Sequence, residues 1–234
     1  MKLSLCVPAM FLLACSSATP VVTDDSGAPS PSDDASAPPN DDAGAATPDA
    51  ADSATATPTC TYPKGPYGVG LDAVLSPSSS WQGYAANDTS VTTLHMSDLF
   101  DCDGSKGINA IMIDVSAGWC AACETQAHDE AQLTSQYDAV GVKAITLLIM
   151  DAAEAPATTQ TALDWRTTYK LDDVGVYADP NFLLQPNQQS IGLPITYIVD
   201  PRTMKIVAGT EGYGSTYPPQ PNASAIALAQ KNAK

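Results

Sequence analysis

The sequence predicts one α/β domain, a mixed sheet covered by helices, carried on a long arm that has no core of its own. Three observations predict it. The elements run strand, helix, strand, helix, short strand, hairpin, helix, and that order gives a mixed central sheet with helices packed on it. Residues 60–234 are numerous enough for one domain with a substantial core. The composition changes abruptly near residue 60, where a stretch almost without large apolar side chains ends.

Each element has its own signal. Residues 111–115 are an apolar run with one acid inside, Asp114, and predict a buried strand. Residues 124–139 predict a helix, with Ala127, Ala131, Leu133, Tyr137 and the adjoining Val140 among its apolar positions. Residues 142–150, rich in Ile, Leu and Val, predict a second strand, and 158–169 a second helix with Leu163 and Trp165 turned inward. A short strand is expected over 174–177. Residues 197–199 and 205–207 form a hairpin turned by Asp200-Pro201-Arg202-Thr203. A helix over 223–233 closes the domain. Trp81 and Trp165 are expected in the core.

Charge narrows the functions available. The chain has 10 Lys+Arg against 26 Asp+Glu, a formal charge of −16. Such a surface excludes ordinary electrostatic binding of nucleic acid, which displaces phosphate counterions with basic side chains. It also argues against docking on anionic lipid through a polybasic patch. Residues 16–59 hold eight Asp and no Lys or Arg, so half of the net charge lies there. That segment is built almost wholly of Ala, Ser, Thr, Pro, Asp and Gly, with Val21 and Val22 its only sizeable apolar side chains. Such a composition cannot bury a core, and Pro with like charges favours an extended tether. It serves as a spacer or as a linker that needs only to be soluble.

Lys2 and the apolar run 3–13, interrupted by Ser4, Cys6 and Pro8, form a stretch too short to span a bilayer. A secretory signal fits better. Its end, Leu12-Leu13-Ala14-Cys15 followed by Ser16-Ser17, resembles the lipobox of bacterial lipoproteins. The resemblance implies removal of residues 1–14, lipidation of Cys15 and an acylated new N-terminus. Several acyl chains on one residue hold a protein stably to a membrane. The domain plan expected is thus a signal peptide over 1–14, a lipidated tether over 15–59 and a folded domain over 60–234. Ser16 in place of Asp hints at the outer membrane. A soluble secreted protein cleaved near Ala14 or Ala18 is the competing reading.

With Cys6 lost and Cys15 lipidated, Cys60, Cys102, Cys120 and Cys123 remain. In an oxidising compartment an even number suggests disulfides. Cys120 and Cys123 are close neighbours, which leaves Cys60 and Cys102 as partners by elimination. Their bridge would close a loop of about 43 residues and contribute on the order of 3 to 4 kcal/mol through the unfolded state. A four-Cys metal site is the rival, but the paired-knuckle spacing of zinc ribbons is missing. No metal is expected.

Chemistry concentrates between residues 108 and 128. A Cys-x-x-Cys, Cys120-Ala121-Ala122-Cys123, opens a helix just after a strand. Unpaired amides and the helix dipole favour negative charge there, so the Cys120 thiol pKa falls below the free value of about 8.5. Cys123, one turn deeper, resolves the mixed disulfide. Asp114 lies six residues before Cys120 in a run that otherwise reads as core. A buried carboxyl has a raised pKa, which suits it to accept the proton of Cys123. A backbone or Lys partner that simply satisfies Asp114 is the alternative, and spacing does not separate the two.

Asp114 through Cys123, with Trp119 before the first thiol, resembles the active-site segment of thioredoxin. Downstream, Gly192-Leu193-Pro194-Ile195-Thr196, continued by Tyr197-Ile198-Val199-Asp200, is similar to the Gly-x-Pro-x-Thr stretch of the thioredoxin-like redoxin family, in its TlpA/ResA-like branch. The resemblance spans roughly residues 66–232. It implies a thioredoxin fold in which Pro194 is cis and faces the Cys pair, Leu193 pairs with the substrate chain, and Trp119 walls the site. It also implies that residues 81–100 form an N-terminal strand pair ending in a short helical turn. Protein thiols and disulfides would be the substrates, with a separate electron donor or acceptor. No cofactor is implied, because the dithiol carries its own two electrons.

Departures from the family refine the expectation. Ala121-Ala122 supplies no His to hold the thiolate, as strongly oxidising relatives have, so a reductase or mid-potential exchanger is expected. Peroxidatic sites carry a Pro and a Thr shortly before the Cys, and Ser116-Ala117-Gly118-Trp119 does not. His128 is expected to be solvated on its helix and His95 to lie in the N-terminal hairpin. Tyr213, Tyr217, Pro218 and Pro219 are assigned to a loop. The expected function is a membrane-anchored thiol–disulfide oxidoreductase of the cell envelope. A dithiol copper-binding module and a redoxin-type thiol peroxidase are the alternatives.

Overall fold

The computed structural model describes residues 60–185, 192–214 and 220–233. The signal peptide, the lipidation residue Cys15, the tether, Tyr217, Pro218 and Pro219 lie outside the described residues. Among those described, no helix is long and apolar enough to cross a membrane.

Seven strands form one sheet: β1 (Ser80–Tyr84), β2 (Val91–His95), β3 (Ala110–Ser116), β4 (Val142–Leu148), β5 (Gly175–Ala178), β6 (Ile195–Asp200) and β7 (Lys205–Glu211). Among the described residues three α-helices accompany it: α1 (Ala121–Val140), α2 (Thr159–Tyr169) and α3 (Pro221–Asn232). The strand order is β2-β1-β5-β4-β3-β6-β7. β3, β4 and β5 are parallel, β6 lies antiparallel beside β3, and β7 antiparallel beside β6. This is a thioredoxin fold. The hairpin β1–β2 joins the same sheet, because β1 pairs antiparallel with β5.

The sequence explains why β3 is central. Every residue of β3 is buried, so both faces of the sheet are covered there. Helix α3 packs on β3 and β6, α1 on β4, and α2 on β5 and β1. Trp81 and Trp165 are both in the core, and Met96, Leu99 and Leu75 close it beneath the hairpin. After β2 the chain makes a 3-10 turn, Met96–Leu99, with Asp98 accepting from the His95 N–H at 3.0 Å.

Element ends follow local chemistry. Cys120 is the N-cap of α1, so the helix begins at Ala121, three residues before the expected 124. It stops at Gly141, whose φ of 77° a side chain would strain. Thr158 caps α2 and exchanges hydrogen bonds with Thr161. β4 ends at Leu148, not 150: Met150 leaves the ladder and bridges Pro156. β7 runs to Glu211, four residues past the expected hairpin arm, held in register against β6 through Thr196↔Thr210 and Ile195↔Glu211.

A segment before the sheet, residues 72–75, lies along the outer edge of β7. Asp72 N–H donates to Ile206 O, Ile206 N–H to Ala73 O, and Leu75 N–H to Met204 O. Pairing of this kind satisfies part of an edge that would otherwise invite another chain. The Cys60–Cys102 disulfide fastens the chain twelve residues before this segment to the residues before β3.

Arg202 in the β6–β7 turn reaches the same region. Its guanidinium lies 3.2 Å from the buried Asp101 carboxylate and bonds Asp101 O, Ile108 O and Asn109 Oδ1. Arg202→Met is expected to lower stability by about 2 to 3 kcal/mol, because Asp101 then keeps only the Lys106 and Ile108 amides as donors. Urea denaturation of the oxidised protein measures it.

Candidate active site

The end of β3 and the start of α1 place the two thiols. The chain leaves β3 at Ser116, and Gly118 N–H donates to Met150 O at 2.9 Å. A Cβ on Gly118 would meet Ala152 N at 2.6 Å, so the loop passes against residues 151–152 as only glycine can. Cys120 and Cys123 are joined as a disulfide at the first turn of α1. Cys120 Sγ accepts from Cys123 N–H at 3.2 Å, the geometry of a helix cap. Negative charge formed on this sulfur would meet an amide and the positive end of the helix.

The two sulfurs differ in access. Cys120 is 6% exposed and Cys123 1%. Trp119, the residue before Cys120, is 47% exposed. The outer thiol can meet a partner, and the inner one can meet only Cys120 or a buried base.

Pro194 comes to the same end of the sheet. Val115 pairs with Ile195 across β3 and β6, so Leu193 and Pro194 leave β6 where the Cys loop leaves β3. The Leu193–Pro194 peptide is cis. Gly212 N–H donates to both Gly192 O and Pro194 O, at 3.1 and 2.8 Å, and no described residue bonds the intervening Leu193 amide.

Asp114 is 1% exposed in the middle of β3. Burial pushes its carboxyl up to about 7, against the opposing pull of hydrogen bonds from Thr196 and Gln126. The alternative of a backbone or Lys partner is thus corrected: the partners are two neutral side chains. Thr196 Oγ1 donates to Asp114 Oδ1 from the paired position on β6. Gln126 Nε2 donates to the same oxygen at 2.5 Å and lies 3.0 Å from Thr196 Oγ1 and 3.4 Å from Glu130 Oε1. A cation would have held the carboxyl ionised; these donors offset only part of the desolvation.

Gln126 and Glu130 were missed by the sequence reading. They lie on the inward face of α1, where Ala131, Leu133 and Val140, expected to be its apolar contacts, are only half-buried. The one available signal was spacing, since Gln126 follows Cys123 by three residues and Glu130 by seven, which keeps all three on one face. His128 is exposed and packs edge-on against Tyr169, ring centroids 5.0 Å apart. Tyr213 donates to Asp129 at 2.7 Å and so ties its loop to α1.

No protein-family model and no curated protein matches the chain. Solved structures do. A thiol:disulfide interchange protein of the thioredoxin family from Chlorobium tepidum is 15% identical, with 70% of this chain and all of that one covered and a TM-score of 0.44. A thiol:disulfide interchange protein from Bacteroides sp. is 11% identical over 71% of this chain and 92% of that one, with a TM-score of 0.47. Peroxiredoxin Q from Xanthomonas campestris is 10% identical over 65% and 91%, with a TM-score of 0.46. These scores lie below 0.5, and the fold is read from the chain's own strand order.

Proposed function

We propose that this chain is a thiol–disulfide oxidoreductase of a bacterial cell envelope, acting on protein substrates and chiefly as a reductant. The single observation that carries the reading is the joint placement of the Cys120–Cys123 disulfide at a helix N-terminus and a buried carboxyl without a cation, Asp114, on the strand that leads to it.

The reaction follows from access and charge. The Cys120 thiolate attacks one sulfur of a substrate disulfide and expels the other as a thiolate, giving a mixed disulfide. Cys123 then gives its proton to Asp114 and attacks Cys120 Sγ. The second substrate sulfur leaves with the electron pair, and the site returns to its disulfide. Two electrons pass to the substrate, and a separate donor must restore them. Leu193, whose amide is unbonded by described residues, pairs with the substrate chain beside Pro194. Ala121-Ala122 brings no cation to the thiolate, which favours the reducing direction.

The domain is held to a membrane by lipid on Cys15, with residues 15–59 as the spacer. The Leu12-Leu13-Ala14-Cys15 sequence supports this part of the reading. Labelling with a palmitate analogue should depend on Cys15.

The test of the activity is disulfide reduction on a protein substrate with a chemical electron donor, run beside peroxide turnover and copper titration of the reduced protein. Exchange lost in Cys120→Ser is expected. Peroxide turnover without exchange would favour the peroxidase, and tight stoichiometric copper without exchange would favour the binding module.

A further inference from the structure

We propose that Gln126 is a positioning residue: together with Thr196 it occupies one oxygen of Asp114, and so leaves the other, Oδ2, as the atom that takes the proton of Cys123. The inference rests on the oxidoreductase reading and deepens it.

The geometry is asymmetric about the Asp114 carboxyl. Oδ1 accepts from Gln126 Nε2 and from Thr196 Oγ1, and both of its lone pairs are engaged. Oδ2 is buried and has no hydrogen-bond partner among the described residues. A proton arriving at Oδ1 would have to displace a donor, whereas one arriving at Oδ2 displaces nothing. Two elements fix this arrangement independently. Strand register sets Thr196 opposite Asp114, and the helix sets Gln126 one turn beyond Cys123. The same side chain thus belongs to the helix that carries the thiols and holds the base that serves them.

Polar groups face the carboxyl from several of the elements around it, and one of them, the buried Glu130, is itself a carboxyl. On α1, Glu130 shares the Gln126 amide, Asp129 precedes it and Tyr137 lies further along. From the loop after β7 comes Tyr213, bonded to Asp129. β4 offers Thr146 in register, and α3 carries Lys231 as its only ionisable side chain, exposed at the far end. Among the described residues no cation faces the carboxyl. Gln126 and Thr196 are therefore the groups that favour its charged form, and burial opposes them.

In the resolving step the Cys123 S–H proton passes to Oδ2. The Cys123 thiolate bonds Cys120 Sγ, the bond between Cys120 and the substrate breaks, and the substrate sulfur leaves with its electron pair. Asp114 afterwards returns the proton to water.

The experiment uses two isosteric variants, Gln126→Met and Thr196→Val, each removing one donor to Oδ1. The Asp114 carboxyl carbon is titrated by NMR in the oxidised full chain, and the rate of mixed-disulfide resolution is followed from pH 5 to 9. The expected result is a titration midpoint moved up by about one pH unit in either variant, with the pH dependence of resolution moving by the same amount. The rate dependence is absent in Asp114→Asn. Both midpoints unmoved, with resolution slowed evenly at all pH, would overturn the role of Gln126 and leave the oxidoreductase reading standing. A folded wild-type protein that shows no exchange would overturn that reading as well. Should one variant fail to fold, the other decides.

Discussion

Cys123→Ser is expected to arrest the protein as a covalent mixed disulfide with its substrate, while Cys120→Ser captures nothing. The two substitutions differ by one sulfur at each of two positions three residues apart. Their effects diverge because the helix places them differently. Cys120 caps α1 and, at 6% exposed, is the more accessible of the two, and its thiolate faces an amide and the helix dipole. Cys123 lies a turn deeper and is 1% exposed, so a substrate disulfide cannot reach it directly. Loss of either thiol should lower turnover by on the order of 10³-fold or more, as for removal of a nucleophile that acts in a unit. Only Cys123→Ser leaves the attack intact and removes the escape. Non-reducing electrophoresis and mass spectrometry of the trapped species would measure it. Capture by Cys120→Ser through Cys123 would reverse the assigned roles.

Asp114→Asn is expected to raise stability at pH 8 and to leave it nearly unchanged at pH 4. The folded carboxyl titrates near 7, above its ordinary 3.8, because burial disfavours the charged form. Below about pH 4 the acid is protonated in both states and contributes its full stability. As pH rises from 4 to 7 the unfolded chain ionises first, and that stability is lost. By pH 8 the loss is about 4 kcal/mol, which the Asn variant escapes while keeping a carbonyl oxygen for Thr196 and Gln126. Urea denaturation of the oxidised protein at pH 4, 6 and 8 gives the comparison. An Asn variant less stable than the parent at pH 8 would show that Asp114 is ionised at no cost. The same change removes the base for Cys123, so resolution should slow. A carboxyl that destabilises the fold above about pH 7 is the pattern expected of a residue kept for chemistry.

Some of this was legible in the sequence, and the reason is physical. An apolar run such as 111–115, with Asp114 its one acid, has few places to go except a sheet covered on both faces, and β3 is buried throughout. The Cys-x-x-Cys after a strand pointed to a helix opening there, yet the helix was expected from 124, whereas Cys120 caps α1 and it begins at Ala121. The support of Asp114 was not legible. Gln126 and Glu130 are polar residues on a helix, and polarity ordinarily marks the solvent face. Only the carboxyl opposite them gives them a reason to be buried. β7 outran its expected end because Gly209, Thr210 and Glu211 have no apolar alternation, and the ladder to β6 holds them instead. Arg202 was visible only as a turn residue. Its partner Asp101 lies about a hundred residues away, and no local pattern joins them.

The most direct test of the central claim is equilibration of the full chain against glutathione buffers, with the redox states of Cys120–Cys123 and Cys60–Cys102 followed separately by mass spectrometry. The account predicts that the Cys120–Cys123 pair opens and closes reversibly as one two-electron couple, within the span of about −270 to −120 mV known for such sites and toward its reducing end. Cys60–Cys102 should stay bridged throughout. A Cys120–Cys123 bond that remains closed in every buffer while Cys60–Cys102 opens would contradict it.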